Sequence, residues 1–425
     1  MSKPDAVMIV GGGLLQLPLA QEAQALGLLS LVTDQNPHAP AFRLPGVQPF
    51  VLSTADVAGH EDLMRDLLRM YQVRGVCTVG AEVASTVAAA AAVAGTPRIP
   101  VEVAWQTQDK LAVRIALGEK KLDEYQPAWG VGSFSNDPFF VYPQIRTAFD
   151  EWGPVVIKPC GERASRGVFC VQAREDIPQS YAVLSAHIKQ EGASFLIEKR
   201  LFGIEHSVEG IFGSDGSLLW FNVVDRFFDY SSGTPIETGH VNPSALVPIQ
   251  WMALQTMFVA VAHALSVTWG PFKIDALVTP VGHAKVLECT ARLSGGWDCQ
   301  GTSPLTGRHP MRALLQLACG LPVDAPLTWH QDRPASSGYA ACAAILPQVT
   351  GIVSALPPWN TLTPMTKALL HEIIWMIQPG EHIASAMHNA ARAGFVLAHA
   401  STYADAWHQA KSPADALAAA IEVTP

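Results

Sequence analysis

The sequence predicts an α/β region leading into an α+β region, within a chain of 425 residues. Three observations carry this. Apolar runs alternate with helical patterns through the first quarter of the chain. From Gly153 onward the runs become short and β-rich, separated by glycine and charged turns. Hydrophobic residues make up 49% of the chain and charged residues 15%, so it can bury more than one core.

Ala6–Val10 reads as a buried strand, turned by Gly11-Gly12-Gly13 into a helical pattern from Leu14 to Leu26 that stops at Gly27. Leu28–Thr33 is a second strand ending at Asp34. Val73–Val79 and Pro97–Val101 read as two more, with helices over His60–Met70 and Val83–Ala94. Such alternation implies a parallel sheet covered on both faces, placed at residues 1–110. Val155–Ile157, Gly167–Val171, Phe195–Glu198, His206–Phe212 and Leu218–Val224 read as antiparallel strands. A helix over Pro248–Val267, strands Gly270–Val278 and Ala284–Cys289, and a helix over 311–319 follow. Residues 321–338 are rich in proline and polar residues and place a boundary near 330. Beyond it, Ala340–Leu346 and Gly394–His399 read as strands and Tyr403–Ala410 as a helix. Residues 119–140 carry no pattern that assigns them.

Composition narrows the function classes. The net charge is −9 with no block of like charge, which argues against a nucleic-acid partner. Met1–Asp5 is short and polar, and the apolar run after it breaks at Gly11, unlike a signal peptide. No stretch is long and apolar enough to span a bilayer, so no membrane partner is expected. Seven cysteines are scattered without a Cys-x-x-Cys pair, as expected of reduced thiols in a cytoplasmic protein.

The glycine-rich opening admits three readings. Gly11-Gly12-Gly13 followed by Asp34 is similar to a dinucleotide fingerprint, but Gln16 stands where its third glycine would be. A tight strand-to-helix turn that binds nothing is the second reading. A substrate anion resting on the helix N-terminus is the third.

Three later segments carry more. Val155-Val156-Ile157-Lys158-Pro159 is an apolar strand with a lysine near its end, followed by Cys160-Gly161-Glu162-Arg163-Ala164-Ser165-Arg166-Gly167-Val168. An ammonium beside a small loop can meet phosphates together with backbone N–H groups, although the segment alone also reads as a surface hairpin. Phe195–Glu205 follows about forty residues later, with acids at Glu198 and Glu205, and then Lys285–Gly296, with Glu288, Thr290 and Arg292. This ordered series resembles the ATP-grasp family of carboxylate–amine ligases, including the bacterial L-amino-acid ligases and biotin carboxylase-like proteins. The resemblance runs over residues 6–320 and takes in Asp34-Gln35-Asn36-Pro37 and Gly80-x-Glu82; the tail from about 338 resembles the family's C-terminal extension.

The resemblance implies an ATP-grasp fold: a Rossmann-like parallel-sheet domain (1–110), a lid (111–210), a central antiparallel-sheet subdomain with the metal and substrate site (211–330) and a C-terminal extension (331–425). It implies that Lys110 and Lys158 hold ATP phosphates and that the loop through Ser165, Arg166 and Gly167 closes over them. Glu198 with the backbone at Lys199 to Leu201 would read the adenine edge, and Glu205 the ribose hydroxyls. Asp275, Glu288 and Thr290 would hold one or two Mg²⁺ ions, with Mn²⁺ as an alternative; Asp275 stands where the family commonly has Glu, and Thr290 where it has Asn. Arg292 would hold the γ-phosphate and the acyl phosphate. Gly295 and Gly296 would admit the substrate carboxylate, and His240, in a loop from Glu237 to Pro243, would contact it. Trp297, Asp298 and Arg308 are weaker candidates for substrate contacts.

The implied activity is ADP-forming ligation of a small carboxylate, such as an amino acid, to an amine through an acyl phosphate, with a homodimer as a candidate assembly. Alternatives are a purine-pathway or carboxylase-type enzyme of the same family, a nucleotide-binding module without turnover, and a nicotinamide oxidoreductase built on the opening glycines.

Overall fold

A computed structural model describes residues 3–162, 165–323, 338–384, 389 and 392–424. The chain opens with four parallel strands, Asp5–Val10 (β1), Leu29–Asp34 (β2), Val47–Val51 (β3) and Gln72–Cys77 (β4), in the order β3-β2-β1-β4. Two assignments differ from expectation. Pro97–Val101 is not a strand: the backbone there leads into a helix over Val101–Gln108 with Pro100 at its N-cap. Prolines at 97 and 100 remove two ladder donors, and a proline at a helix start forfeits no intrahelical bond. The remaining strand is instead Val47–Val51, at the sheet edge, where its internal Pro49 is tolerated.

The glycine opening resolves as a local turn. Asp34 accepts from the Gly12 and Asn36 N–H groups at 2.9 and 2.8 Å, and the Gln16 side chain packs where a Cβ on Gly11 would point while its amide donates to the Val79 carbonyl. The Asp34 carboxylate, which the dinucleotide reading would need for its ligand, is spent on its own turn.

Trp129–Ser133 (β5), Val155–Pro159 (β6), Phe169–Val171 (β7) and Ser194–Lys199 (β8) form an antiparallel sheet in the order β5-β8-β6-β7, backed by helices Pro138–Trp152 and Ile177–His187. The stretch that sequence left unassigned therefore supplies the lid's edge strand.

The central sheet collects Ile204–Phe212 (β9), Leu218–Asp229 (β10), Ile236–Asn242 (β11), Gly270–Val278 (β12) and Ala284–Thr290 (β13). The helix Pro248–Ala264 covers one face, where Phe258 meets Phe212, Phe221 and Phe272 with ring centroids 5.3–5.7 Å apart. Glu237–Asn242, expected as loop, belongs to β11 and pairs with β10 and, across residues 239–242, with the C-terminal part of the chain. Its polar side chains face a cleft, so the hydrophobic signature of a strand is missing.

The C-terminal part adds Tyr339–Ile345 (β14), Gly351–Ala355 (β15), Leu370–Trp375 (β16), His382–Ile383 (β17), Gly394–Ala400 (β18) and Glu422–Thr424 (β19). Strands β14, β18 and β16 continue the central sheet, whose order is β13-β12-β9-β10-β11-β14-β18-β16; β17-β15-β19 form a small separate sheet. The helix beginning at Tyr403 runs on to Ala419 and covers the added strands. The boundary placed near 330 lies outside the described residues. The first domain meets the central sheet where Val79 bridges Leu293 in parallel and Gly80 lies against Gly295.

Candidate active site

Lys158 projects from β6 and pairs with Glu198 on neighbouring β8 at 2.6 Å. Glu198 is buried and also accepts from Arg114 Nε at 2.8 Å. Arg114 is itself buried on the helix Lys110–Glu119, and donates through its other end to the Val286 and Leu287 carbonyls of β13, both at 3.0 Å. One guanidinium thus joins lid strand, helix and central sheet. Burial alone would raise the Glu198 carboxyl; Arg114 and Lys158 override it and hold the group down to about 2. Lys110 opens its helix behind Asp109, which caps the Leu111 and Ala112 N–H groups. Its Nζ lies 3.1 Å from Glu288 Oε1.

These groups face a cavity between lid and central sheet, which brings Lys110, Lys158, Glu198, Lys199, Leu201, Glu205, Asp275 and Glu288 to one cleft. The Tyr230 hydroxyl donates to Glu205, whose carboxyl burial raises despite nearby Arg226. Arg200 lies over the rings of Phe202 and Tyr230, at 5.0 and 5.1 Å, and stiffens the wall. Ser165 and Gly167 both have positive φ, +60° and +72°. Ser165 Oγ accepts from Asn389 at 3.2 Å, while Arg166 lies half-exposed against Glu162 at 3.2 Å. Arg163 and Ala164 lie outside the described residues.

A second, larger cavity shares Ser165, Arg226, Asp275 and Glu288 with the first and extends to Glu82, His240, Arg292, Gly295 and Gly296. Asp275 and Glu288 are register partners on β12 and β13. Arg226 reaches Asp275 at 2.8 Å and grips Glu237 through two bonds of 3.0 Å; Arg392 adds a third to Glu237 at 3.3 Å. Lys273 also pairs with Asp275. Thr290 donates to Glu82 at 2.6 Å, and Arg292 pairs with the other Glu82 oxygen. Burial pushes Glu82 up, but Arg292 and Thr290 hold it below the usual carboxylate range. His240 is buried, with Nε2 3.2 Å from Thr302 Oγ1, and burial lowers it to about 4, so the ring is neutral at pH 7.

Mg²⁺ takes one or two carboxylates and completes its shell with phosphate and water. The facing Asp275–Glu288 pair, open to the cleft, fits that requirement. Among the described residues no group of three or more His, Cys, Asp or Glu gathers as a self-contained metal site. Thr290, expected as a third ligand, has its hydroxyl turned to Glu82.

One expected substrate residue, Trp297, is placed differently. Trp297 is buried in a small apolar cluster with Cys342, Ala344, Ile374, Phe395 and Leu397, and does not line the cleft. Gly295 lines the cavity, but its missing side chain has a packing reason: a Cβ there would lie 3.2 Å from the Gly80 Cα. Gly296 faces open space. Sequence reasoning missed Arg114, Arg226, Tyr230 and Arg392. Only Arg114 left a signal, as the one cation inside the amphipathic run Leu111–Leu117.

A family model for the ATP-grasp domain matches residues 152–300. No curated protein matches the sequence. Among solved structures, the L-amino acid ligase from Bacillus licheniformis superposes with a TM-score of 0.72 at 18% identity, covering 95% of each chain. Phosphoribosylglycinamide synthetase from Anaerococcus prevotii gives 0.67 at 16%, covering 94% of this chain and 95% of that one. The biotin carboxylase domain of the Hydrogenobacter thermophilus 2-oxoglutarate carboxylase, in complex with MgADP and bicarbonate, gives 0.68 at 13%, covering 96% and 88%. The domain match takes in the strands that carry Lys158, Glu198, Asp275 and Glu288, and the fold likeness spans nearly the whole chain: residues 152–300 match the ATP-grasp domain, and the chain as a whole shares the fold of these structures.

Proposed function

We propose that the chain is an ADP-forming carboxylate–amine ligase, which activates an amino acid or another small carboxylic acid as an acyl phosphate and passes it to an amine. One observation carries the reading: two joined cavities, with Lys110 and Lys158 over the first, Arg292 in the second, and Asp275 facing Glu288 where they meet.

The chemistry follows from charge. A carboxylate is a poor electrophile until its oxygen becomes part of a good leaving group. Phosphoryl transfer spreads negative charge over oxygens, so positioned cations dominate its catalysis. Lys110 and Lys158 would neutralise the phosphates, and Glu198 would keep Lys158 pointed into the cleft. Glu205, with Tyr230 beside it, offers acceptors for ribose hydroxyls. Asp275 and Glu288 would hold Mg²⁺, which when bound offsets triphosphate charge. Glu82 fixes Arg292, whose buried Nε has no hydrogen-bond partner among the described residues, at the junction where the new acyl phosphate would form. Neutral His240 would contact the acyl oxygens without adding charge. Lid closure through Ser165–Gly167 would keep out the water that destroys acyl phosphates. The seven free cysteines fit a reducing, cytoplasmic setting.

The test is release of ADP and phosphate from ATP and Mg²⁺ in the presence of pooled amino acids and other carboxylic acids. Release that needs both an acid and an amine is the expected result. Release that needs bicarbonate would move the chain to carboxylase chemistry, and ATP binding without turnover across broad pools would leave only a binding module. Lys158→Ala and Glu288→Ala should each abolish turnover while circular dichroism stays unchanged.

A further inference from the structure

The second cavity carries apolar side chains that the reading above leaves unused. Leu15, Met376, Ile377 and Phe395 line it beside the charged residues of the central strands. Leu15 comes from the glycine-rich opening. Gly11 has φ +104°, a Cβ on Gly12 would lie 3.1 Å from the Ala39 Cβ, and the Gly13 carbonyl accepts the Gln16 and Leu17 N–H groups at 3.1 and 3.0 Å. A turn this tight needs its glycines, and it holds Leu14 and Leu15 at its corner. Both leucines pack on the cluster that contains Trp297, Ile374 and Phe395. Leu15 Cδ1 also covers the meeting of Gly80 with Gly295, 3.1 and 3.2 Å from where a Cβ on each would stand. Met376 and Ile377 follow β16, whose Ile374 pairs with Phe395 on β18, and the Met376 N–H donates to the Ala393 carbonyl at 2.9 Å. The first turn and the C-terminal part of the chain thus build one apolar wall. Met376 is 42% exposed and joins no apolar cluster among the described residues, so its side chain gains by being covered.

We propose that this wall selects the acid: the carboxylic acid that is activated carries an apolar side chain, which covers Met376 and rests on Leu15 and Phe395. This rests on the ligase reading, in which the carboxylate lies at Gly295 and Gly296 beside Arg292. Leu15 makes the connection, since it lies against Gly295 on one side and the apolar cluster on the other. A charged side chain at this wall would lose water and gain no partner there, and an acid without a side chain would leave Met376 in water. Both are disfavoured against an acid with a long apolar side chain. The glycine-rich opening then needs neither a nucleotide nor an anion to account for it, because its turn presents Leu15 to the substrate.

Hydroxylamine captures an acyl phosphate as a hydroxamate, so the choice of acid is read without knowing the amine. The full chain with ATP, Mg²⁺ and hydroxylamine is assayed on single acids. L-leucine, L-methionine, 4-methylpentanoate and hexanoate form one set; glycine, L-aspartate, L-lysine, acetate and succinate form the other. The best acid of the apolar set should exceed every member of the other set by about 10-fold or more in kcat/KM. Met376→Ala should reduce the ratio of that acid to glycine or acetate by about 10-fold, and Met376→Leu should restore it. Leu15→Ala should shift the same ratio in the same direction. The ratio is the readout because damage to the fold or to the phosphate site lowers both of its members together. A wild-type preference for short or charged acids overturns the assignment, and so does an unchanged ratio in Met376→Ala and Leu15→Ala. Absence of hydroxamate with every acid would instead remove the ligase reading, and this inference with it.

Discussion

Glu198 is opposed by burial and held in place by two cations, and this sets how the lid responds to pH and mutation. Its folded carboxyl lies at about 2, below the ordinary 4.5. A depressed carboxylate stabilises fully above the unfolded value, and that contribution drains away as pH falls from about 4.5 to about 2. The size is of the order of 3 kcal/mol from about 1.4 kcal/mol per unit. Glu198→Gln should flatten the acid limb of a plot of denaturation midpoint against pH over this window; an unchanged limb would mean that the charge is not held by these partners. Removing Arg114 leaves buried Glu198 with Lys158 as its one remaining cation among the described residues and takes a donor from two β13 carbonyls, so Arg114→Met should cost about 3 kcal/mol in chemical denaturation. Sequence announced Lys158, Glu198 and Glu288 because each interrupts an apolar strand at a spacing that one motif series explains. It did not announce Arg226 or Arg392: their partner Glu237 lies across a hairpin from one and 155 residues from the other, and neither distance leaves a local pattern.

Strands whose side chains alternate cleanly or run apolar were legible, β1, β6, β8 and β12 among them. Those that failed share a cause. β5 carries two glycines, β3 a proline, and β11 lines a polar cleft, so tertiary pairing rather than local preference makes them strands. β11 shows what that pairing demands. Gly239 has φ +152°, and a Cβ there would lie 2.3 Å from the Cys342 carbonyl and 2.8 Å from the Trp407 ring. The carbonyl belongs to the paired strand β14 and cannot move without breaking the ladder. Gly239→Ala should therefore lower stability by at least about 1–3 kcal/mol from backbone strain alone, read as a lower thermal midpoint. It should also weaken turnover, because His240 and Glu237 ride on the same strand.

The C-terminal residues look like an appendage in the sequence, set off by a polar, proline-rich stretch, yet three of their strands continue the molecule's largest sheet. β14 pairs with β11 over residues 340–343, and β18 and β16 build outward from it. Val241 shares a core with Ala341, Val396 and the helix Tyr403–Ala419, and Trp407 lies 4.4 Å from Phe227. The same segment brings Arg392 to Glu237 and Asn389 to Ser165, so it walls the second cavity as well as extending the sheet. A chain ending at residue 330 would bare the β11 edge and the apolar face of β10 and β11 together, which is the geometry of edge-to-edge aggregation. It should be insoluble or lack a cooperative unfolding transition, whereas a separable module would leave residues 1–330 folded and turning over ATP. Size-exclusion chromatography and calorimetry of the shortened chain distinguish the two. The expected failure follows from the sheet order, since a β-sheet whose central strand pairs across a boundary cannot be divided there without leaving an unpaired ladder on each piece.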